Sequence, residues 1–154
     1  MRPICSSPSL SAHESAVQSN NLLVCQDIMA SLIPPKCILV VDDNRDAADM
    51  TAALLEMYGH IALPIYGGEE CIQRAADMVP DIILLDLSMP VVDGFAVAAS
   101  LSQNPKLKGT TLVALTARSD TETRARTAAA GFREHLVKPI PIEKILQTLN
   151  LAVA

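Results

Sequence analysis

Along this chain, short continuous apolar runs alternate with stretches in helical spacing, and the alternation begins at Cys37. The run Cys37-Ile-Leu-Val-Val41 has no polar position, which is the pattern of a strand buried on both faces. A helical stretch follows from Arg45 to Tyr58 and is stopped by Gly59. The same alternation predicts a second strand over Ile61–Tyr66, a second helix over Glu69–Met78, a third strand over Ile82–Leu85 and a third helix centred on Phe95–Leu101. Thr111–Leu115 is the fourth strand. Ser119-x-x-Glu122 offers a capping box for a fourth helix, with Gly131 placed to stop it. Glu134–Val137 is a short fifth strand. Pro141 can open a last helix, whose Ile142, Ile145, Leu146 and Leu149 recur at i, i+3, i+4 and i+7.

Five β-α units with near-continuous apolar strands predict an α/β domain whose parallel sheet is covered by helices on both faces. Pro64 falls inside the second strand, and proline is tolerated in a sheet mainly at an edge. The order 2-1-3-4-5, a flavodoxin-like (βα)5 arrangement, places that strand at an edge. Residues 1–36 read differently. Their first part is rich in Ser, Asn and Ala, with little periodicity, and Pro34-Pro35 closes the segment. Such a stretch buries too little apolar surface to offset its ordering entropy, so 1–36 is expected to be a mostly disordered extension, with a short helix near Leu22–Leu32. Residues 37–154 carry the domain. No internal repeat is present.

Composition narrows the function. The chain has 154 residues, 50% apolar but only 3% aromatic and without Trp, so the core is expected to be aliphatic. Twelve Lys and Arg against 17 Asp and Glu give a net charge of −5. The four charges of residues 1–36 (Arg2, Glu14, Asp27 and Lys36) cancel, so the excess belongs to the domain. That balance argues against nucleic acid or an anionic membrane as partner. Charge-free stretches reach about 12 residues, short of the roughly 20 that span a bilayer, and no signal-type apolar segment follows Arg2. A cytoplasmic location is expected. Cys5, Cys25, Cys37 and Cys71 show no zinc spacing and no disulfide framework, so reduced thiols are expected.

The chemistry lies at the strand ends. Asp42-Asp43 follow strand one, Asp86 ends strand three, Thr116 ends strand four and Lys138 ends strand five. Open parallel sheets build their sites at these carboxyl ends, and strands one and three flank the switch point of the topology. Singly, each residue has an ordinary reading as a turn, a helix cap or a solvated amine. Together they converge. Two carboxylates about 4 Å apart repel by roughly 4 kcal/mol at an effective dielectric of 20, so three in one crevice require a cation. Hard oxygen donors without His or Cys point to Mg²⁺.

Four segments, Ile38-Leu-Val-Val-Asp-Asp-Asn44, Leu84-Leu-Asp-Leu-Ser-Met-Pro-Val-Val-Asp-Gly94, Val113-Ala-Leu-Thr-Ala117 and His135-Leu-Val-Lys-Pro139, give the chain a family resemblance. In order and spacing they resemble the receiver domains of two-component response regulators, most of all those attached to hybrid histidine kinases. The resemblance covers residues 37 to about 152. It implies a signalling domain rather than an enzyme. Asp86 would accept a phosphoryl group from a histidine kinase or a histidine phosphotransfer protein. Asp43, Asp86 and the backbone carbonyl of Ser88 would hold Mg²⁺, with Asp42 acting through water. Lys138 would pair with the phosphoryl oxygens, Thr116 would hydrogen-bond one of them, and the Lys138-Pro139 bond would be cis.

Two features depart from that pattern. His135 stands where the family usually has Tyr or Phe, and is expected to fill the space that Thr116 leaves when it moves toward the phosphoryl group. The extension over 1–36 has no counterpart. The phosphorylated state is expected to be read by a protein partner through the face of helix four, strand five and helix five, since no output domain follows the last helix. A phosphate sink and a phosphorelay shuttle are alternatives. A haloacid-dehalogenase-like phosphatase would need a second carboxylate two residues after the nucleophile, where Ser88 stands, and flavodoxin-like FMN binding would need a phosphate loop in place of Asp42-Asp43-Asn44-Arg45. Met29 is a second candidate start. A chain beginning there should be phosphorylated as fast as the full chain; loss of labelling in it would show that the extension is required.

Overall fold

The computed structural model of the protein describes residues 34–90 and 92–151. They lie in a compact unit that starts at Pro34. The predicted helix at Leu22–Leu32 lies outside the described residues. The elements are β1 (Cys37–Val41), α1 (Arg45–Met57), β2 (Ile61–Ile65), α2 (Gly68–Met78), β3 (Ile82–Asp86), α3 (Gly94–Ser102), β4 (Thr111–Thr116), α4 (Thr121–Ala129), β5 (Glu134–Val137) and α5 (Ile142–Leu151). All strand pairs are parallel and the order is β2-β1-β3-β4-β5. Pro64 therefore sits on an edge strand, opposite Val40.

Period-two alternation divides the two faces. Leu39, Val41, Ile83 and Leu85 pack with Val97 and Leu101 of α3 and Cys71 of α2. Ile38, Val40, Ile82 and Leu84 pack on the other side with Ala48, Ala52 and Leu55 of α1 and Ile145 and Leu149 of α5. β3 is buried at every position, as its unbroken apolar run requires. Each fully buried Leu or Ile contributes about 1.5–3 kcal/mol, which lets an aliphatic core do without large aromatics.

Helix ends follow side-chain chemistry, with one correction. Asn44 caps α1, Asp93 caps α3, and Gly131 ends α4 at φ +92°. The cap of α4 is Asp120, not Ser119. Its carboxylate accepts from the Thr123 N–H at 2.8 Å and from the Thr123 hydroxyl, and a carboxylate also suits the positive end of the helix dipole better than a hydroxyl does. The last helix begins at Ile142, one residue after Pro141. A 3-10 turn over Pro105–Leu107, capped by Asn104, was not legible in the spacing. Of the four cysteines, Cys37 and Cys71 are described and both are free thiols; burial pushes Cys71 up to about 12. Among the described residues, no helix is long and apolar enough to cross a membrane.

At the amino-terminal end of the sheet, the Lys36 N–H donates to Nδ1 of His60 at 3.2 Å, and Lys36 itself is buried. The His60 proton must then sit on Nε2, which is buried without a partner. Burial, and after it the Lys36 charge, holds this imidazole below the ordinary 6.5. As the pH falls, the unfolded chain takes up the proton first. Stability from this site is therefore complete above 6.5 and is withdrawn below it. Urea unfolding followed from about pH 7.5 to 5.5 should show that loss, and His60→Gln, which keeps an acceptor for Lys36, should flatten it; parallel curves would remove His60 as the cause.

Candidate functional site

The alternation that buries the strands also aims the site. Asp42 continues the Ile38, Val40 side of β1, and Asp86 continues the Ile82, Leu84 side of β3, so both carboxylates emerge on one side of the carboxyl edge. Each is only 4% exposed. Asp43, the next residue on β1's exit, is exposed. One carboxylate oxygen from each of Asp42, Asp43 and Asp86 falls within 4.8 Å of the others.

The Lys138 ammonium answers that concentration of charge. Its Nζ donates to Asp42 Oδ2 at 2.7 Å and to Asp86 Oδ2 at 3.1 Å. Backbone groups take the other oxygens: the Asn44 N–H donates to Asp42 Oδ1 at 2.9 Å, and the Ser88 N–H to Asp86 Oδ1 at 2.8 Å. Burial alone would raise the Asp42 carboxyl, but the Lys138 and Asn44 hydrogen bonds outweigh it and hold the group below its usual range. Asp86 goes the other way, because burial is its largest influence and exceeds the same kinds of bond. Desolvation pulls the Lys138 ammonium down, and its two carboxylate partners more than restore it.

Lys138 reaches this position because β5 lies beside β4. Its N–H donates to the Thr116 carbonyl at 2.7 Å, and the Lys138-Pro139 bond is cis, as the resemblance implied. Thr116 is buried at the end of β4, and its Oγ1 accepts from the Arg118 N–H at 3.0 Å. All five strand-end residues singled out in the sequence thus meet at one edge, together with Ser88. His135 lies on the other side of β5, half-buried; its Nε2 is 3.1 Å from the Arg118 carbonyl and its Nδ1 3.3 Å from the Thr127 hydroxyl.

Gly94 was quoted only as part of a motif, and its reason is steric. A Cβ there would lie 2.7 Å from the Asp86 carbonyl oxygen and 2.8 Å from Leu87 Cα. The first turn of α3 therefore rests directly on the backbone that carries Asp86. Arg118 and Thr127 were not singled out either; no residue pattern signals that a backbone carbonyl and a helix hydroxyl will meet one ring.

The donor set suits a hard divalent cation. Three carboxylates supply oxygen only, and among the described residues no His or Cys joins the cluster, which is the donor chemistry of Mg²⁺ rather than of zinc. Lys138 occupies one oxygen of Asp42 and of Asp86, which leaves further lone pairs on both for an ion.

Comparison with known proteins agrees with the geometry. The family model for the response regulator receiver domain matches residues 38–150. Protein PilH of Pseudomonas aeruginosa is 28% identical over 117 residues, covering 76% of this chain and 97% of PilH. The signal transduction histidine-protein kinase BarA of Shigella flexneri is 33% identical over 109 residues, which are 70% of this chain but only 12% of BarA. Among solved structures, the chemotaxis protein CheY4 of Vibrio cholerae superimposes with a TM-score of 0.72 at 29% identity, covering 75% of this chain and 96% of CheY4.

Removing the ammonium should expose the repulsion it balances. Lys138→Met is expected to lower stability at neutral pH by about 1–3 kcal/mol, less than for a fully buried pair because the lysine side chain is 34% exposed. The deficit should shrink in mild acid as the orphaned carboxylates take up protons. A variant as stable as the parent at pH 7 would mean that solvent, not Lys138, compensates the carboxylates.

Proposed function

This chain belongs to the response regulator receiver family, and we propose that Asp86 is its phosphoacceptor. Receiver domains are signalling domains. The observation that carries the assignment is the Lys138 ammonium spanning Asp42 and Asp86, with Asp43 beside them, at the switch point of the sheet. In the step proposed, an Asp86 carboxylate oxygen attacks the phosphorus of a phosphohistidine. The P–N bond breaks, the histidine leaves with that electron pair, and an acyl phosphate remains on Asp86.

Asp43, Asp86 and the Ser88 carbonyl would hold Mg²⁺ directly and Asp42 through water; the ion would supply charge neutralisation for the transferring group. Lys138 then turns from the carboxylates to the phosphoryl oxygens, two of its N–H groups being already aimed at the reacting edge. Thr116 donates its hydroxyl proton to a phosphoryl oxygen, a proton left free because its oxygen accepts from Arg118. Catalytic help of this kind is positioning and electrostatics, with little covalent work for the protein. The phosphatase alternative lacks the carboxylate it needs two residues after Asp86, where Ser88 stands.

The donor would be a histidine kinase or a histidine phosphotransfer protein, and the reader a protein docked on the α4, β5, α5 face, in the cytoplasm. Incubation with acetyl phosphate and Mg²⁺ should add one phosphoryl mass, and either chelation of Mg²⁺ or Asp86→Asn should abolish it. Undiminished labelling of Asp86→Asn would move the nucleophile elsewhere.

A further inference from the structure

We propose that Tyr66 is a positioning residue for Asp43: together with Ile65 it clamps both ends of the turn over 42–45 to the end of β2, and so sets the affinity of the site for Mg²⁺. The role of Asp43 as a metal ligand rests on the function proposed above. Lys138 bonds Asp42 and Asp86 and leaves Asp43 out. Asp43 is exposed, and among the described residues no hydrogen bond or ion pair holds its carboxylate. Its place beside the other two acids therefore depends on the backbone that carries it. That backbone has an anchor on each side. Before Asp43, the Asp42 N–H donates to the Ile65 carbonyl at 3.0 Å. After it, Arg45 lays its guanidinium over the Tyr66 ring, 4.6 Å from the centroid.

The second anchor is itself fixed. Ile65 belongs to the core on the α2 and α3 side of the sheet, and the alternation turns Tyr66 to the other side, where it packs against the layer shared with α1. Its hydroxyl donates to Asp49 Oδ1. Arg45 and Asp49 stand four residues apart, on one face of α1, so a single side chain meets two successive turns of that helix. A planar, weakly hydrated guanidinium suits an aromatic face better than an ammonium does. Between the anchors, Asn44 accepts from the Ala47 N–H at 3.3 Å and donates its own N–H to Asp42 Oδ1. The start of α1 and the two acids before it thus move as one unit, and Tyr66 ties that unit to β2.

The test is the Mg²⁺ dissociation constant of the full chain, measured by calorimetry, with urea stability measured on the same samples. Tyr66→Leu, which keeps apolar bulk but removes ring and hydroxyl, should weaken Mg²⁺ binding about threefold, the order of one exposed cation–π contact. Tyr66→Phe, which keeps the ring, should retain most of the affinity. Arg45→Lys keeps the charge but gives up the planar stack, and should weaken binding about twofold. In the Tyr66→Leu background it should add nothing, because the two residues share one contact. A Tyr66→Leu protein that loses stability yet binds Mg²⁺ like the parent would overturn the proposal, since the clamp would then serve the fold alone; full additivity of the two changes would overturn it as well. Asp43→Asn separates this proposal from the reading beneath it. If Asp43→Asn binds Mg²⁺ like the parent, the ligand assignment fails and the proposal fails with it, whereas a loss there beside an unmoved Tyr66→Leu refutes the proposal alone. If Tyr66→Leu does not fold, Arg45→Lys, at an exposed position, still decides.

Discussion

Three carboxylates gathered at the edge of a hydrophobic sheet are a burden that folding must offset, and a single ammonium bonds two of them. Lys138 is 96 residues away from Asp42 in the chain and 52 from Asp86, yet its Nζ touches both. Nothing local could hold that contact. It depends on β5 pairing beside β4 and β4 beside β3, each in a fixed register. A one-residue slip would turn Asp42 or Asp86 to the opposite face and strand its charge in an apolar layer. The ion pair and the sheet register therefore specify each other.

That mutual dependence explains why stability and chemistry are hard to separate at this edge. The backbone N–H groups of Asn44 and Ser88 orient the acids by reaching back to them from two residues on, and Gly94 lets a helix start against the Asp86 carbonyl. Asp42 and Asp86 share one cation and have opposite proton affinities relative to an ordinary carboxyl, because their balance of burial against hydrogen bonding differs. Two like groups at one site thereby become unlike.

Much of this was legible in the sequence. Unbroken apolar runs marked β1 and most of β3, because a strand covered on both sides has little room for a polar residue. By contrast β5, Glu134-His135-Leu136-Val137, is half polar and was legible from its place in the alternation. Pro64 pointed to the edge, and the strand-end acids and lysine pointed to the site. Contacts that pair a side chain with distant backbone stayed hidden. The Asp120 cap lay one residue from a plausible rival, Ser119, and only the reach of its carboxylate to Thr123 decides between them. The His135 partners are a carbonyl and a hydroxyl that any residue near positions 118 and 127 could have presented differently. The buried His60 and Lys36 pair gave no pattern at all, since it forms where the segments entering two parallel strands, 24 residues apart in the chain, run side by side at the foot of the sheet.

Pro64 has a further consequence, for life among other proteins. Among the described residues β2 is an edge strand, and an edge strand invites a foreign strand to extend the sheet. A strand arriving there would find a proline in the middle of five residues, with no N–H to give and a ring in the path of the ladder. The opposite edge, β5, is only four residues long and gives little purchase. Both rims of a very apolar sheet are thus poor templates for strand addition, which protects the domain from aggregation while its charged edge stays open for exchange with partners.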